Sequence, residues 1–159
     1  MRKCLGAAIL ILAASTMLHA QTLTGTLGQH VCGPMSPYCD GIPAVVHDGT
    51  ELVNETIWVD QQTSGGFIYF TGTDPLGLQG QRPDGGYGAL IVNTPYQPIS
   101  RYGGSLLYNF KGSNKQGVPY TGVLKLTYTA YYSRGGGGKG GGGAGWRWLV
   151  TGGTISIQY

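Results

Sequence analysis

Residues 119–134, PYTGVLKLTYTAYYSR, and residues 146–159, WRWLVTGGTISIQY, flank an eleven-residue run, GGGGKGGGGAG, in which nine residues are Gly. Leu124, Leu126, Tyr128, Ala130 and Tyr132 alternate with mostly polar positions. That period of two is the mark of a strand with one buried face. On the return arm Trp146, Trp148 and Val150 are even, whereas Ile155, Ile157 and Tyr159 are odd. A change of phase within a paired strand requires one extra residue, and Gly152-Gly153 stands where it is needed. The stretch therefore predicts a long C-terminal hairpin with a bulge at Gly152-Gly153. Tyr132 is expected opposite Trp148, Ala130 opposite Val150, Leu126 opposite Ile155 and Leu124 opposite Ile157. In that register one bulge keeps the large apolar residues of both arms on one side.

The chain opens MRKCLGAAILILAASTMLHAQ. A basic start, an apolar run and Leu18-His19-Ala20 before Gln21 together predict a secretory signal peptide over residues 1–20. The apolar run, about 14 residues, falls short of the roughly 20 that a spanning helix requires. No transmembrane segment is expected in residues 21–159, and the chain is expected to be secreted: extracellular, periplasmic or at the cell surface. Thirty Gly and eight Pro raise the question of low complexity. Runs rich in Val, Ile, Leu and Tyr separate the Gly clusters, which argues for folded strands joined by Gly-rich turns.

Strands are expected at 22–28 (TLTGTLG), 43–47 (PAVVH), Glu55 to Asp60, Gly66 to Gly72, 89–93 (ALIVN) and 105–110 (SLLYNF), followed by the two hairpin arms. Residues 29–43 read as an irregular loop, and residues 73–88 and 94–104 as loops. The expected fold is all-β. It is a single β-sandwich, jelly-roll or Ig-like, of about eight strands over residues 21–159, with residues 135–145 as the hairpin tip.

Cys32 and Cys39 remain after cleavage and are expected to pair as a disulfide around CGPMSPYC. The alternative, a metal site from His30, Cys32, Cys39 and His47, has no familiar zinc spacing, so no metal and no cofactor is assigned. The chain contains no G-x-S-x-G motif, and His30 and His47 sit in no catalytic context. Glu51, Glu55 and Asp60 are the carboxylates that a glycosidase pair would draw on, but no placed pair is legible. No catalytic residue is assigned. Aromatic and basic residues gather at the tip instead: Tyr131, Arg134, Lys139, Trp146, Arg147 and Trp148 are the candidate ligand- or partner-binding residues. The opposing expectation is that the even residues Tyr132, Trp146 and Trp148 simply face the core.

The ending TISIQY resembles the last strand of secreted fimbrial and spore-coat subunits of the donor-strand type. The likeness covers fewer than ten residues, and Tyr159 is terminal where those subunits carry a penultimate Tyr. It implies that TLTGTLG adds to the open sheet edge of a neighbour. The expected function is thus an exported, non-catalytic structural or assembly subunit. The alternative is a glycan-binding module, with a secreted hydrolase third. The partners in view are a second copy or an anionic polysaccharide, not nucleic acid. Charge is divided along the chain: all seven acidic residues lie at or before Asp84, and Arg82 is the one base among them after residue 20. From Gly85 onward there are seven bases and no acid. If sequence halves interleave in space the division means nothing; if they do not, the domain is dipolar.

Overall fold

A computed structural model of the protein describes residues 21–47, 49, 52–72, 88–135 and 143–159. The expected signal peptide, Lys139 and most of the glycine run lie outside them. The strands are β1 (Thr22–Leu27), β2 (His30–Pro34), β3 (Tyr38–His47), β4 (Leu52–Gln62), β5 (Gly65–Gly72), β6 (Ala89–Ile91), β7 (Gly104–Ser113), β8 (Pro119–Ser133) and β9 (Gly145–Gln158). From β3 to β9 each strand pairs antiparallel with the next. β1 pairs with β3 on one edge and with β9 on the other, which closes the ring. β2 follows β1 along the same edge of β9, so nine strands fill eight positions.

The fold is all-β as expected, but it is a closed up-and-down barrel, not a jelly-roll or Ig-like sandwich. Both architectures present one apolar face per strand, so alternation does not separate them. Closure also corrects the expectation for TLTGTLG. Thr24 pairs with His47 on one side and Ser156 on the other, so β1 has no free edge with which to extend a neighbour's sheet. Among the described residues no helix is long and apolar enough to cross a membrane. The outward positions of β8 and β9 are mostly Thr, Ser, Lys and Gln, the reverse of a barrel whose outside faces lipid.

Residues 29–43, expected as a loop, form β2 and most of β3. Their alternation is hidden by two bulges, one between Val31 and Gly33 and one between Cys39 and Ile42. Gly33 and Gly41 take positive φ values of 93° and 82°, where other residues are strained. Cys32 and Cys39 sit at these bulges and form the expected disulfide, with Cα atoms 4.8 Å apart. It ties β2 to β3 where no ladder joins them. An eight-residue ring contributes about 2–3 kcal/mol by the loop-entropy estimate. With both sulfurs so used, the alternative metal set loses two of its four ligands.

The C-terminal hairpin is present with one bulge, but the bulge lies at Thr151 and not at Gly152-Gly153, and the register differs. Tyr132 faces Trp146, Ala130 faces Trp148 and Leu124 faces Ile155, with the irregularity opposite Thr127 and Tyr128, at Thr151. A shift of two residues leaves every side chain on the same face, so the pattern of alternation is blind to it.

Eight strands make a barrel just wide enough for side chains to fill. Ile42, Ile57, Ile68, Leu106, Leu124 and Ile157 are among those buried inside it. At one end Phe70, Phe110, Tyr120 and Tyr159 form a chain of tilted and edge-on ring contacts with centroids 5.8–6.5 Å apart. Glycines make room for them. Phe110 faces Gly122 across the β7–β8 ladder, and Tyr120 faces Gly112. A Cβ on Gly122 would run into the Phe110 ring, and one on Gly112 would lie 2.6 Å from the Tyr120 hydroxyl.

β6 is short, and beyond it Pro95 and Pro98 exclude a ladder. Side chains substitute for it. The Gln97 amide donates to the Leu107 carbonyl at 2.9 Å and accepts from the Leu107 N–H at 3.1 Å. Buried Gln61 likewise donates to the Pro95 carbonyl at 3.1 Å and accepts from the Gln97 N–H at 3.2 Å. Two amides thus satisfy backbone groups that the missing strand leaves over.

Two outcomes follow from this interior. Gly122→Ala should lower stability by about 1–3 kcal/mol in urea denaturation, because the added methyl displaces Phe110; wild-type stability would show that the ring does not rest there. The Tyr108 hydroxyl is buried and finds no hydrogen-bond partner among the described residues. Burial, with smaller contributions from Tyr128 and Tyr96, pushes its pKa up. Above about pH 10 the unfolded chain releases this proton while the folded chain keeps it. The unfolded state then binds fewer protons, and stability falls as pH rises. Tyr108→Phe should flatten that alkaline fall and leave stability at pH 7 equal or higher, read from denaturation midpoints at pH 7 and 11.

Candidate functional site

The barrel wall ends unevenly, and this decides what the hairpin exposes. β7 begins at Gly104, which lies opposite Tyr128, whereas β8 runs on to Ser133. The last five residues of β8 therefore have no β7 partner and run on past that strand by about 16 Å. Trp148, opposite Ala130, still lies inside: it is fully buried, edge-on to Tyr128 with centroids 5.5 Å apart. One step further out, Tyr132 and Trp146 share the same face but are not enclosed. They are 55 % and 42 % exposed, with ring centroids 5.8 Å apart at 78°. On the other face of the hairpin Tyr131 lies opposite Arg147. Arg147 in turn pairs with Pro34 of β2 and stays half-buried.

The six candidate residues thus divide. Trp148 belongs to the core. Trp146 stands on the overhang with Tyr132, a residue the sequence places on the correct face but not among the candidates. Tyr131 and Arg147 occupy the opposite face, Arg134 is exposed at the start of the glycine run, and Lys139 lies outside the described residues. The overhang offers two apolar ring faces and, at their edges, an indole N–H and a phenol O–H. Such rings suit ligands that are apolar on one side and hydroxylated on the other.

The carboxylates do not converge. Glu55 points into the barrel and Asp60 lies on the outer side of the same strand, so the wall separates them. Two carboxylates must flank one bond in a glycosidase, and these two do not. Glu51 lies outside the described residues. Among the described residues no group of three His, Cys, Asp or Glu gathers as metal ligands.

At the far end of the barrel lies a groove of about 610 Å³, lined by Lys111, Ser113, Pro119, Thr121, Gln158 and the rings of Tyr120 and Tyr159. Eleven residue steps along β8, from Thr121 to Tyr132, separate the two features by roughly 36 Å, so they do not form one site.

No protein-family model, characterised protein or solved structure matches the chain.

The contrast between the two tryptophans is measurable. Trp148→Ala should cost about 3–5 kcal/mol, as for a large core side chain, and Trp146→Ala less than about 1 kcal/mol. Equal losses in equilibrium denaturation would show that both rings are packed.

Proposed function

We propose that this chain is an exported, non-catalytic β-barrel module that binds a polysaccharide through its hairpin overhang. The observation that carries this is the exposed Tyr132–Trp146 pair beyond the barrel rim. Two large rings left in water on a rigid hairpin cost solvation and gain nothing for the fold, which is the usual mark of a contact surface. Rigid strands hold the rings at fixed spacing, so little ordering cost falls on binding. Arg134, exposed two residues on from Tyr132, favours a chain with some anionic groups. The Cys32–Cys39 disulfide supports an oxidising compartment.

A second reading, a subunit that assembles at the cell exterior, is favoured by a different observation, the division of charge between opposite walls of the barrel.

The test is affinity electrophoresis through gels containing neutral or anionic polysaccharides. Wild-type protein should be retarded by at least one of them. Tyr132→Ala combined with Trp146→Ala should weaken retention at least tenfold, as expected when two exposed aromatic anchors are lost, with thermal unfolding nearly unchanged. Retention that survives the double change, or none on any polysaccharide, would overturn the proposal.

A further inference from the structure

Between Thr22 and Gly72, the span of β1 to β5, there are five acidic residues and no Lys or Arg; among the described ones Asp40 and Asp60 lie on the outer face and Glu55 faces the interior. Between Ala89 and Tyr159, the span of β6 to β9, there are seven Lys and Arg and no acid. In a sandwich with crossovers such halves would interleave. Here, β2 apart, the strands pair in sequence order around the ring, so β1 to β5 occupy one half of the circumference and β6 to β9 the other. Among the eight ring positions β3 and β4 stand diametrically opposite β7 and β8.

The outer faces of these two walls differ in charge and agree in having an apolar middle. On β3 and β4, Tyr38 and Trp58 are exposed, with Asp40 and Asp60 beside them. Tyr38 lies directly across from Asp60. On β7 and β8, Leu107 and Val123 are exposed, flanked by Lys111 and Lys125. Leu107 lies directly across from Lys125. An apolar centre with a charged margin is the anatomy of a protein–protein contact, and the two margins are opposite in sign.

From this complementarity we infer that the chain self-associates, the β7–β8 wall of one copy docking on the β3–β4 wall of the next. The contact joins two different surfaces, so it is heterologous. The surfaces lie half a turn apart, so each added copy presents the same free wall as the last and the association does not close. The product is a filament of stacked barrels. The inference is independent of the polysaccharide proposal, because it leaves Tyr132 and Trp146 uncovered at the barrel end.

Sedimentation velocity on the purified protein over a range of concentrations tests it. At low salt, species larger than a dimer should grow with concentration, and they should dissociate towards monomer near 1 M salt, where the screening length falls to about 3 Å. Lys111→Ser with Lys125→Ser, and separately Asp40→Asn with Asp60→Asn, should each weaken association at least tenfold while thermal unfolding stays near wild type. Each variant keeps one intact wall. Either should therefore shorten wild-type assemblies when added in small amounts, and the two variants mixed together should stop at a dimer. Monomeric wild type at low salt would overturn the inference, as would variants that assemble like wild type. So would a wild type that stays monomeric yet binds an anionic polysaccharide through the same lysines, which would make the basic wall a polymer site.

Discussion

Backbone hydrogen bonding between β1 and β9 joins the two ends of the described chain, and the rest of the structure depends on it. From Thr22 against Gln158 to Leu27 against Gly153, six successive residue pairs close the sheet on itself. Closure removes the sheet edges that an open meander would leave at β1 and β9. It also seals an interior in which Trp148, Tyr108, Phe110 and the aliphatic residues of all walls share one core. Its entropic cost is that of joining distant parts of the chain, so the packing that rewards it must be good.

That packing is obtained by pairing large residues with glycine. Phe110 over Gly122 and Tyr120 over Gly112 place rings where two facing side chains would collide. On the other side of the ring, Gly25 lets β1 lie close between its neighbours: a Cβ there would sit 2.7 Å from the Val45 carbonyl and 2.9 Å from Ile155. Glycine in a strand ordinarily weakens it, and here it permits the curvature and close approach that a small barrel needs. Where the ladder is thinnest, around β6, the Gln61 and Gln97 amides complete the hydrogen bonding.

The same closure shapes the surface. An up-and-down ring keeps sequence neighbours together, so among the described residues Asp40 and Asp60 on β3 and β4 stand across the ring from Lys111 and Lys125 on β7 and β8. The uneven rim, with β8 and β9 longer than β7, turns the outer end of an inward-facing row into an exposed aromatic pair. The buried Trp148 and the exposed Trp146 lie on the same face of β9, two residues apart, on either side of the point where the core ends.

The sequence by itself determined the strands of strong alternation, the C-terminal hairpin, the need for one bulge in its return arm, and the Cys32–Cys39 pair. Each depends on neighbours in sequence or on the period of two, which are local properties. It did not reveal β2 or the first half of β3, because bulges at Cys32 and at Asp40-Gly41 break that period. Nor did it fix the hairpin register, since a slip of two residues preserves every facing. The candidate site was legible as a composition of Tyr, Trp and Arg around the tip. Which of these rings is buried was not, because that depends on how far the enclosed interior reaches along the hairpin. Barrel against sandwich, and charges separated against mixed, were decided by the tertiary structure alone. Both turn on the pairing of β1 with β9, a contact between segments too far apart in sequence for any local pattern to record.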